Sequence, residues 1–421
     1  MSPTHLAIVG QGYVGLPLAK EACLAGFATT GLELNPRTVE QLNAGRSHVD
    51  DLSDEDIRRM LDLGYTASSD PASLADADVV VICVPTPLAA DGSSPEMGPV
   101  IAASRSIAEH MKQGCLVVLE STTYPGTTDT LVQGILEEGG KRLDEDFFLA
   151  FSPERIDPGN PVFGLKNTPK VVGGVSPEST RRAVEFYGRI VDTVVPVRGA
   201  REAETAKLLE NTYRHINIAL VNEMAKFCHE LGIDIWSVID AAKTKPFGFQ
   251  AFYPGPGVGG HCIPIDPNYL SYEVKRALGY PFRFVELAQE INSSMPRYAV
   301  DRIQEELNNG RKAINGARVL VLGVTYKADI ADQRESPAVP VAEELRRRGA
   351  DLSFHDPRIE TWRLPSGDLR RVDSLPEAVE SADLVVLLQK HSSYDVDALA
   401  QAASLFFDTR GASALESAVR L

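Results

Sequence analysis

Positive charge is in short supply. The chain of 421 residues carries 42 Lys and Arg against 58 Asp and Glu, a formal net charge of −16. A nucleic-acid surface needs a positive field, so DNA and RNA are not expected partners, although a local basic pocket for a small anion stays open. Apolar runs are short. None reaches the roughly 18 residues that would span a bilayer, so no membrane association is expected. Met1-Ser2-Pro3-Thr4-His5 puts no basic segment ahead of the first apolar run, so no signal peptide is expected either. Cysteine is scarce too: five, an odd number and widely spaced. That fits reduced thiols in a cytoplasmic protein better than a disulfide framework. What is present is ordinary for a soluble globular chain, with 43% hydrophobic and 24% charged residues and length for two or three domains.

Leu6-Ala7-Ile8-Val9 is a short apolar run of the buried parallel-strand kind. Gly10-Gln11-Gly12-Tyr13-Val14-Gly15 follows at once. Leu16 to Ala25 reads as a helix, with Pro17 tolerated in its first turn. Thr29 to Leu32 reads as a second strand, ending in Glu33. This order is the dinucleotide fingerprint. Gly10 makes the tight turn, Gly12 admits a pyrophosphate and Gly15 lets helix and strand pack. Glu33 is placed for ribose hydroxyls and disfavours a 2′-phosphate, so NAD is the expected cofactor. Arg37, close by, is the residue that argues the other way.

Three further strands are expected at 79–84, 116–119 and 148–151. They lead into Pro85-Thr86-Pro87, Glu120-Ser121-Thr122-Thr123 and Ser152-Pro153-Glu154-Arg155. Ligands of parallel sheets bind at carboxyl ends of strands, which makes these loops candidate walls of a site; a hydroxyl such as Thr122 could equally be a helix cap. From Glu202 to Leu231 apolar residues recur at steps of three or four, at Leu209, Tyr213, Ile216, Leu220, Met224, Phe227 and Leu231. One long amphipathic helix is expected, of about 45 Å, crossing between domains or packing on a copy of itself. Lys207, Asn211 and Arg214 share another face, which could be a solvated stripe. A helix is expected from about 284 to 309, kinked or divided at Pro296. Arg318 to Leu322 opens a second doubly wound sheet without the full glycine fingerprint, and 382–386 echoes 77–81. The expected class is α/β: two Rossmann-like domains, 1–200 and 311–421, joined by a central helical domain, 201–310, with one long helix.

Cys262 sits in Pro254-Gly255-Pro256-Gly257-Val258-Gly259-Gly260-His261-Cys262, a loop by composition. The other cysteines, 23, 83, 115 and 228, fall in elements and read as core residues. Cys262 is either an inert loop thiol or a nucleophile, and Lys207 is one source of the positive charge a nucleophile needs. Adjacent His261 and Cys262 chelate one ion poorly, so no metal is expected. A thiol beside NAD suits oxidation of an alcohol through an aldehyde to an acid. The thiol adds to the aldehyde, the thiohemiacetal gives up a second hydride, and water hydrolyses the thioester.

Over nearly its whole length the chain resembles the UDP-glucose/GDP-mannose dehydrogenase family. The likeness rests on Gly10–Gly15, Glu120-Ser121-Thr122, Lys207-Leu208-Leu209-Glu210-Asn211, Gly259–Cys262, Gly323–Lys327 and Asp332–Pro337. It implies Cys262 as the thiohemiacetal and thioester nucleophile, and Lys207 and Asn211 as stabilisers of charge on the C6 oxygen. Asp266 would position the lysine and a water, Thr122 would hold that water, and Glu154 would be its base. Tyr326 and Lys327 would contact the nucleotide, and Arg334 the cofactor pyrophosphate. Tyr13, Val14, Pro85, Thr86 and Thr122 are further candidate cofactor contacts. Glu154, Arg155, Lys207, Asn211, Tyr253, Gly257 and Gly259 are candidate substrate contacts, and Arg214 and His215 candidates for an acetamido-sugar pocket. The family pattern implies a homodimer through the central helices. Ile265, where UDP-glucose enzymes usually carry lysine, points to the N-acetylhexosamine branch, and the segment 207–223 to UDP-N-acetylglucosamine. The N-acetylgalactosamine, N-acetylmannosamine and glucose analogues are alternatives. So is a two-electron dehydrogenase of the 6-phosphogluconate or 3-hydroxyacid type, or a non-catalytic NAD-responsive protein.

Overall fold

The computed structural model describes residues 4–49, 51–89, 94–156, 160, 162–260 and 263–421. The chain divides into two compact units. One is Met1–Glu210 with Asn268–Tyr280, the other Asn211–Pro267 with Pro281–Leu421.

The first unit is built on eight strands: β1 (His5–Val9), β2 (Ala28–Leu32), β3 (Thr66–Ser68), β4 (Val79–Ile82), β5 (Cys115–Leu119), β6 (Phe147–Phe151), β7 (Lys170–Gly174) and β8 (Val194–Pro196). Their order in the sheet is β3-β2-β1-β4-β5-β6-β7-β8. All neighbours are parallel except β6 and β7. Chain direction therefore brings the ends of β1, β2, β4, β5 and β6 to one edge, and the order reverses between β1 and β4, where such sheets bind nucleotides. The central strands β4, β5 and β6 are apolar, apart from the thiol of Cys115, because both faces are covered. Leu6, Ile8, Val79 and Val81 face one core with α1 (Gly15–Leu24). Ala7, Val9, Val80 and Ile82 face the other. Helices α2 (Pro36–Asn43), α3 (Asp54–Asp62), α4 (Gly98–His110), α5 (Gln133–Glu137) and α6 (Pro177–Tyr187) complete the layers.

Next comes α7 (Ala200–Glu230), 31 residues without a break, followed by α8 (Ile235–Ala242), α9 (Asp266–Leu278) and α10 (Arg283–Asn309). Helix α10 runs undivided through Pro296. The second sheet takes β9 (Arg318–Leu322), α11 (Ala338–Arg347), β10 (Asp351–His355), α12 (Leu375–Ser381), β13 (Leu384–Leu387), α13 (Val396–Ala402), β14 (Phe406–Asp408) and β15 (Ala418–Arg420); β11 (Thr361–Trp362) and β12 (Leu369–Arg370) form a small ribbon. Its order is β10-β9-β13-β14-β15, all parallel. This is the second doubly wound sheet expected from the sequence. No helix among the described residues is long and apolar enough to cross a membrane.

The two sheets share a device. In the first, the Gln11 amide donates to Glu33 just beyond β2, at 3.1 Å. In the second, the Val324 amide donates to Asp356 just beyond β10, at 2.8 Å. Asp356 is fully buried and pairs with His391 at 3.0 Å, so its carboxylate is spent on anchoring the turn.

The N-terminal part of α7 is stapled to the segment after β5. Glu204 is 1% exposed. It accepts from the Gly126 amide at 2.6 Å, the Thr128 amide at 2.9 Å and the Thr128 hydroxyl at 2.7 Å. Burial pushes its carboxyl up to about 7 against the pull of those donors. The folded state thus holds this proton more tightly than the unfolded chain does. The stability it contributes is full below about pH 4.5 and is lost as pH rises through about 7, about 3 kcal/mol over that window. Denaturant unfolding at pH 5 and pH 7.5 should show that loss in the wild type, and Glu204→Gln should flatten it.

Candidate active site

The turn after β1 is made by Gly10 at φ +95°, and a Cβ there would meet the Cys83 carbonyl oxygen at 2.6 Å. At Gly15 a Cβ would stand 1.9 Å from the Gly10 carbonyl oxygen, so helix and turn close only on glycine. Above Gly12 nothing lies within 4 Å of a Cβ position, which leaves room for a pyrophosphate at the start of α1. Glu33 takes the Gln11 amide on one oxygen and the Asn35 amide on the other, at 3.1 and 3.0 Å, and lone pairs remain for ribose hydroxyls. These residues fit NAD. Tyr13 is 44% exposed at the turn, and Val14 occupies the N-cap position of α1. Arg37 is exposed in the first turn of α2. Past β4, the Thr86 carbonyl accepts from the buried Tyr269 hydroxyl on α9, next to Pro85.

The loops after β5 and β6 meet α7 in the same unit. Lys207 is 8% exposed, and its ammonium donates to the Thr122 hydroxyl at 2.5 Å. Thr122 is therefore a partner of the lysine rather than a helix cap. Glu154 accepts from the Ile156 amide at 2.5 Å on Oε1. Arg155 is engaged: its guanidinium donates to both carboxylate oxygens of Glu210, at 3.1 and 2.6 Å, and to the Pro169 carbonyl at 2.8 Å.

In the second unit Asn211 is 8% exposed and Asp266 2%. The amide of Asn211 donates to Asp266 Oδ2 at 2.6 Å. His215 is 1% exposed; Asn292 Nδ2 lies 3.2 Å from its carbonyl and 3.4 Å from Nδ1. Burial drives the imidazole down to about 4, so it is neutral at physiological pH. Its Nε2 is buried without a hydrogen-bond partner among the described residues. The buried row on α7 is thus Lys207, Asn211 and His215. Arg214 is exposed and falls outside it. The solvated stripe allowed for this set is excluded for its first two members.

The glycine loop lies flat on the turn after β9. A Cβ at Gly259 would meet the Glu335 carbonyl at 2.7 Å and Tyr326 Cβ at 2.9 Å; at Gly260, with φ +88°, it would meet the Tyr326 ring at 2.9 Å. Gly257 lies against Pro337 in the same way. The carbonyls of Tyr326 and Lys327 accept from Gln389 and Thr325, at 3.0 and 2.8 Å. Tyr253 stacks on Trp236, centroids 6.0 Å apart and rings inclined 15°. Arg334, expected at the cofactor, forks onto Asp332 at 2.9 and 2.7 Å. His261 and Cys262 lie outside the described residues. Cys23, Cys83, Cys115 and Cys228 are buried free thiols; Cys83 falls one residue past β4 rather than within a strand.

Three buried ionisable residues beside these groups escaped the sequence reading: Glu204, Glu120 and Lys170, at 1, 1 and 4% exposure. Lys170 opens the apolar run of β7, where a lysine reads as a solvent edge; the signal that could have found it is a lone charge beginning a strand buried along its length.

Comparison with known proteins agrees with this geometry. Sequence models of the UDP-glucose/GDP-mannose dehydrogenase family match as its NAD binding domain over residues 4–191, its central domain over 201–294 and its UDP binding domain over 320–414. UDP-N-acetyl-D-mannosamine dehydrogenase of Methanocaldococcus jannaschii is 34% identical over 93% of this chain and 86% of its own. UDP-N-acetyl-D-glucosamine 6-dehydrogenase of Pseudomonas aeruginosa is 34% identical over 85% and 83%. The solved structure of UDP-D-ManNAc dehydrogenase from Pyrococcus horikoshii superposes with TM-score 0.88 at 32% identity, covering 97% of this chain and 96% of that one. With all three segments matched and the dinucleotide turn intact, the chain belongs to the UDP-glucose/GDP-mannose dehydrogenase family and is an NAD-dependent nucleotide-sugar dehydrogenase.

Proposed function

We propose that the chain oxidises the C6 hydroxyl of UDP-N-acetylglucosamine to the uronic acid, with two NAD consumed per sugar. The observation that carries this reading is the row on α7: Lys207 bonded to Thr122 and, one turn on, Asn211 bonded to Asp266. An ammonium and an amide fixed on one helix are preorganised donors for a developing oxyanion. Asn211 keeps a second amide N–H beyond the one given to Asp266. Lys207 and Asn211 stabilise charge on the C6 oxygen as its proton passes to solvent water, and again when the Cys262 thiolate adds to the aldehyde. The turn Gly10–Gly15 and Glu33 would hold NAD, which would supply the hydride acceptor for both oxidations. Water then attacks the Cys262 thioester, oriented by Thr122; Glu154 takes its proton, the thiolate leaves and the uronate is released. The role of Cys262 rests on its sequence setting. The segments 1–200, 201–310 and 311–421 serve NAD, dimerisation with the cysteine loop, and the UDP-sugar, and Tyr326 and Lys327 hold the nucleotide. A cytoplasmic location is consistent with the buried free thiols.

UDP-N-acetylmannosamine is the second reading, favoured by the wider coverage of the Methanocaldococcus relative at equal identity. A homodimer completes the proposal. Leu209, Leu220 and Leu231 of α7 are 64, 52 and 68% exposed, with Tyr213 and Phe227 at 45%. The apolar stripe of the long helix thus faces outward, and the same stripe of a second copy would cover it.

Three outcomes follow. Wild-type enzyme should yield two NADH per UDP-N-acetylglucosamine, while Cys262→Ser makes no uronate yet still binds NAD; full acid production by that variant would sink the mechanism. Steady-state kinetics should give the highest kcat/KM for UDP-N-acetylglucosamine among the N-acetylglucosamine, N-acetylgalactosamine, N-acetylmannosamine and glucose nucleotides. Sedimentation should find a dimer for the wild type and monomer for Leu220→Glu.

A further inference from the structure

Beneath the Glu154 loop lie two buried charged residues, Lys170 and Glu120, that the mechanism above does not use. Lys170, at the start of β7, is 3.0 Å from Glu120 Oε1 and 3.8 Å from Glu154 Oε2, with 5, 0 and 12% of the respective side chains exposed. The Tyr187 hydroxyl on α6 donates to the same Glu120 oxygen, and the lysine ammonium stands 5.2 Å above the Tyr187 ring. Glu120 Oε2 and Glu154 Oε2 are buried and accept no hydrogen bond among the described residues. The groups facing the lysine are Cys83 beyond β4, Glu120 beyond β5, Glu154 beyond β6 and Tyr187 on α6. Burial pushes Cys83 and Tyr187 far up, so both stay neutral. One cation therefore serves two carboxylates, Glu120 fully enclosed and Glu154 reached from outside.

We propose that Lys170 is a positioning residue for thioester hydrolysis, held between Glu120 and Glu154 so that its charge sets the pH at which Glu154 can take a proton from water. The inference rests on Glu154 being that base. Glu154 Oε1 is fixed by the Ile156 amide, and Lys170 lies on the Oε2 side, so the carboxylate is oriented at both ends. Glu120 draws on the same ammonium and tempers its pull. Without Glu120 the full cation would act on Glu154 and make it a weaker base. Without Lys170 two carboxylates would share a buried site, and one would hold a proton.

The two removals therefore have opposite signs. The test is single-turnover release of uronate from the Cys262 acyl-enzyme across pH, with the adduct read as a mass increase on the intact protein. Lys170→Met should move the acid limb of release up by about one pH unit or more, and Glu120→Gln should move it down by about as much. Lys170→Arg should restore the limb to its wild-type position. Should Lys170→Met fail to fold, the downward shift in Glu120→Gln carries the test alone. Limbs that stay in place, or move in the same direction in both variants, overturn the inference while the mechanism stands. A wild-type enzyme that forms aldehyde but neither acyl-enzyme nor uronate overturns the functional reading, and this inference with it.

Discussion

Helix α7 buries a row of polar side chains alongside small and branched apolar ones such as Leu208, Val221 and Ala225, and most of the buried polar groups are tied to other elements. Glu204, Lys207, Asn211 and His215 follow one another at steps of three or four. They are tied to Gly126 and Thr128, to Thr122, to Asp266 and to Asn292. Farther on, Asn222 donates to Asn292 and accepts from the Gly255 amide, both at 2.9 Å. A buried polar group left unpaired costs about 1–3 kcal/mol, so this seam fixes the loops as strongly as packing would. The loop after β5 is held by hydrogen bonds whose other ends sit on the first part of this helix.

The same helix marks how far the sequence could be read. Its existence, its length and the periodicity of its apolar residues were legible, since a 3.6-residue period survives whichever way the helix faces. Which face is inside was not. Hydrophobicity would bury Leu209, Leu220 and Leu231, yet these are exposed, and the buried side carries a row of ionisable and amide side chains together with Leu208, Val221 and Ala225. A hydrophobic pattern reports that a face will be covered, not whether this chain covers it. The dinucleotide turn was legible in full, because each glycine answers a steric demand: a Cβ at Gly10 or Gly15 would strike a carbonyl oxygen. Glu120 and Lys170 were not, since each stands at the end of a strand run, and their pairing depends on the register of β5, β6 and β7, which no local pattern carries.

The repeated contact between turn and acid shows one piece of geometry put to two uses. Glu33 keeps lone pairs open at the edge of its sheet. Asp356 has the same station in the second sheet but is enclosed and matched to His391, with Thr325 3.3 Å from the same ring. Burial separates them: an acid at a solvent-facing edge can exchange a backbone amide for a ligand hydroxyl, whereas an enclosed acid paired with histidine is committed to structure. A net charge of −16 is compatible with an anionic nucleotide partner because the groups that meet it are local.

The chain has two tryptophans, and their surroundings differ. Trp362 is fully enclosed, its ring 5.4 Å from that of Phe354. Trp236 lies against Gly411, where a Cβ would come within 2.4 Å of the indole, and stacks on the half-exposed Tyr253. One indole thus reports on the core of the second sheet and the other on the rim of the glycine loop. Intrinsic fluorescence can therefore follow events at that loop against a built-in, buried reference, without a label and without turnover.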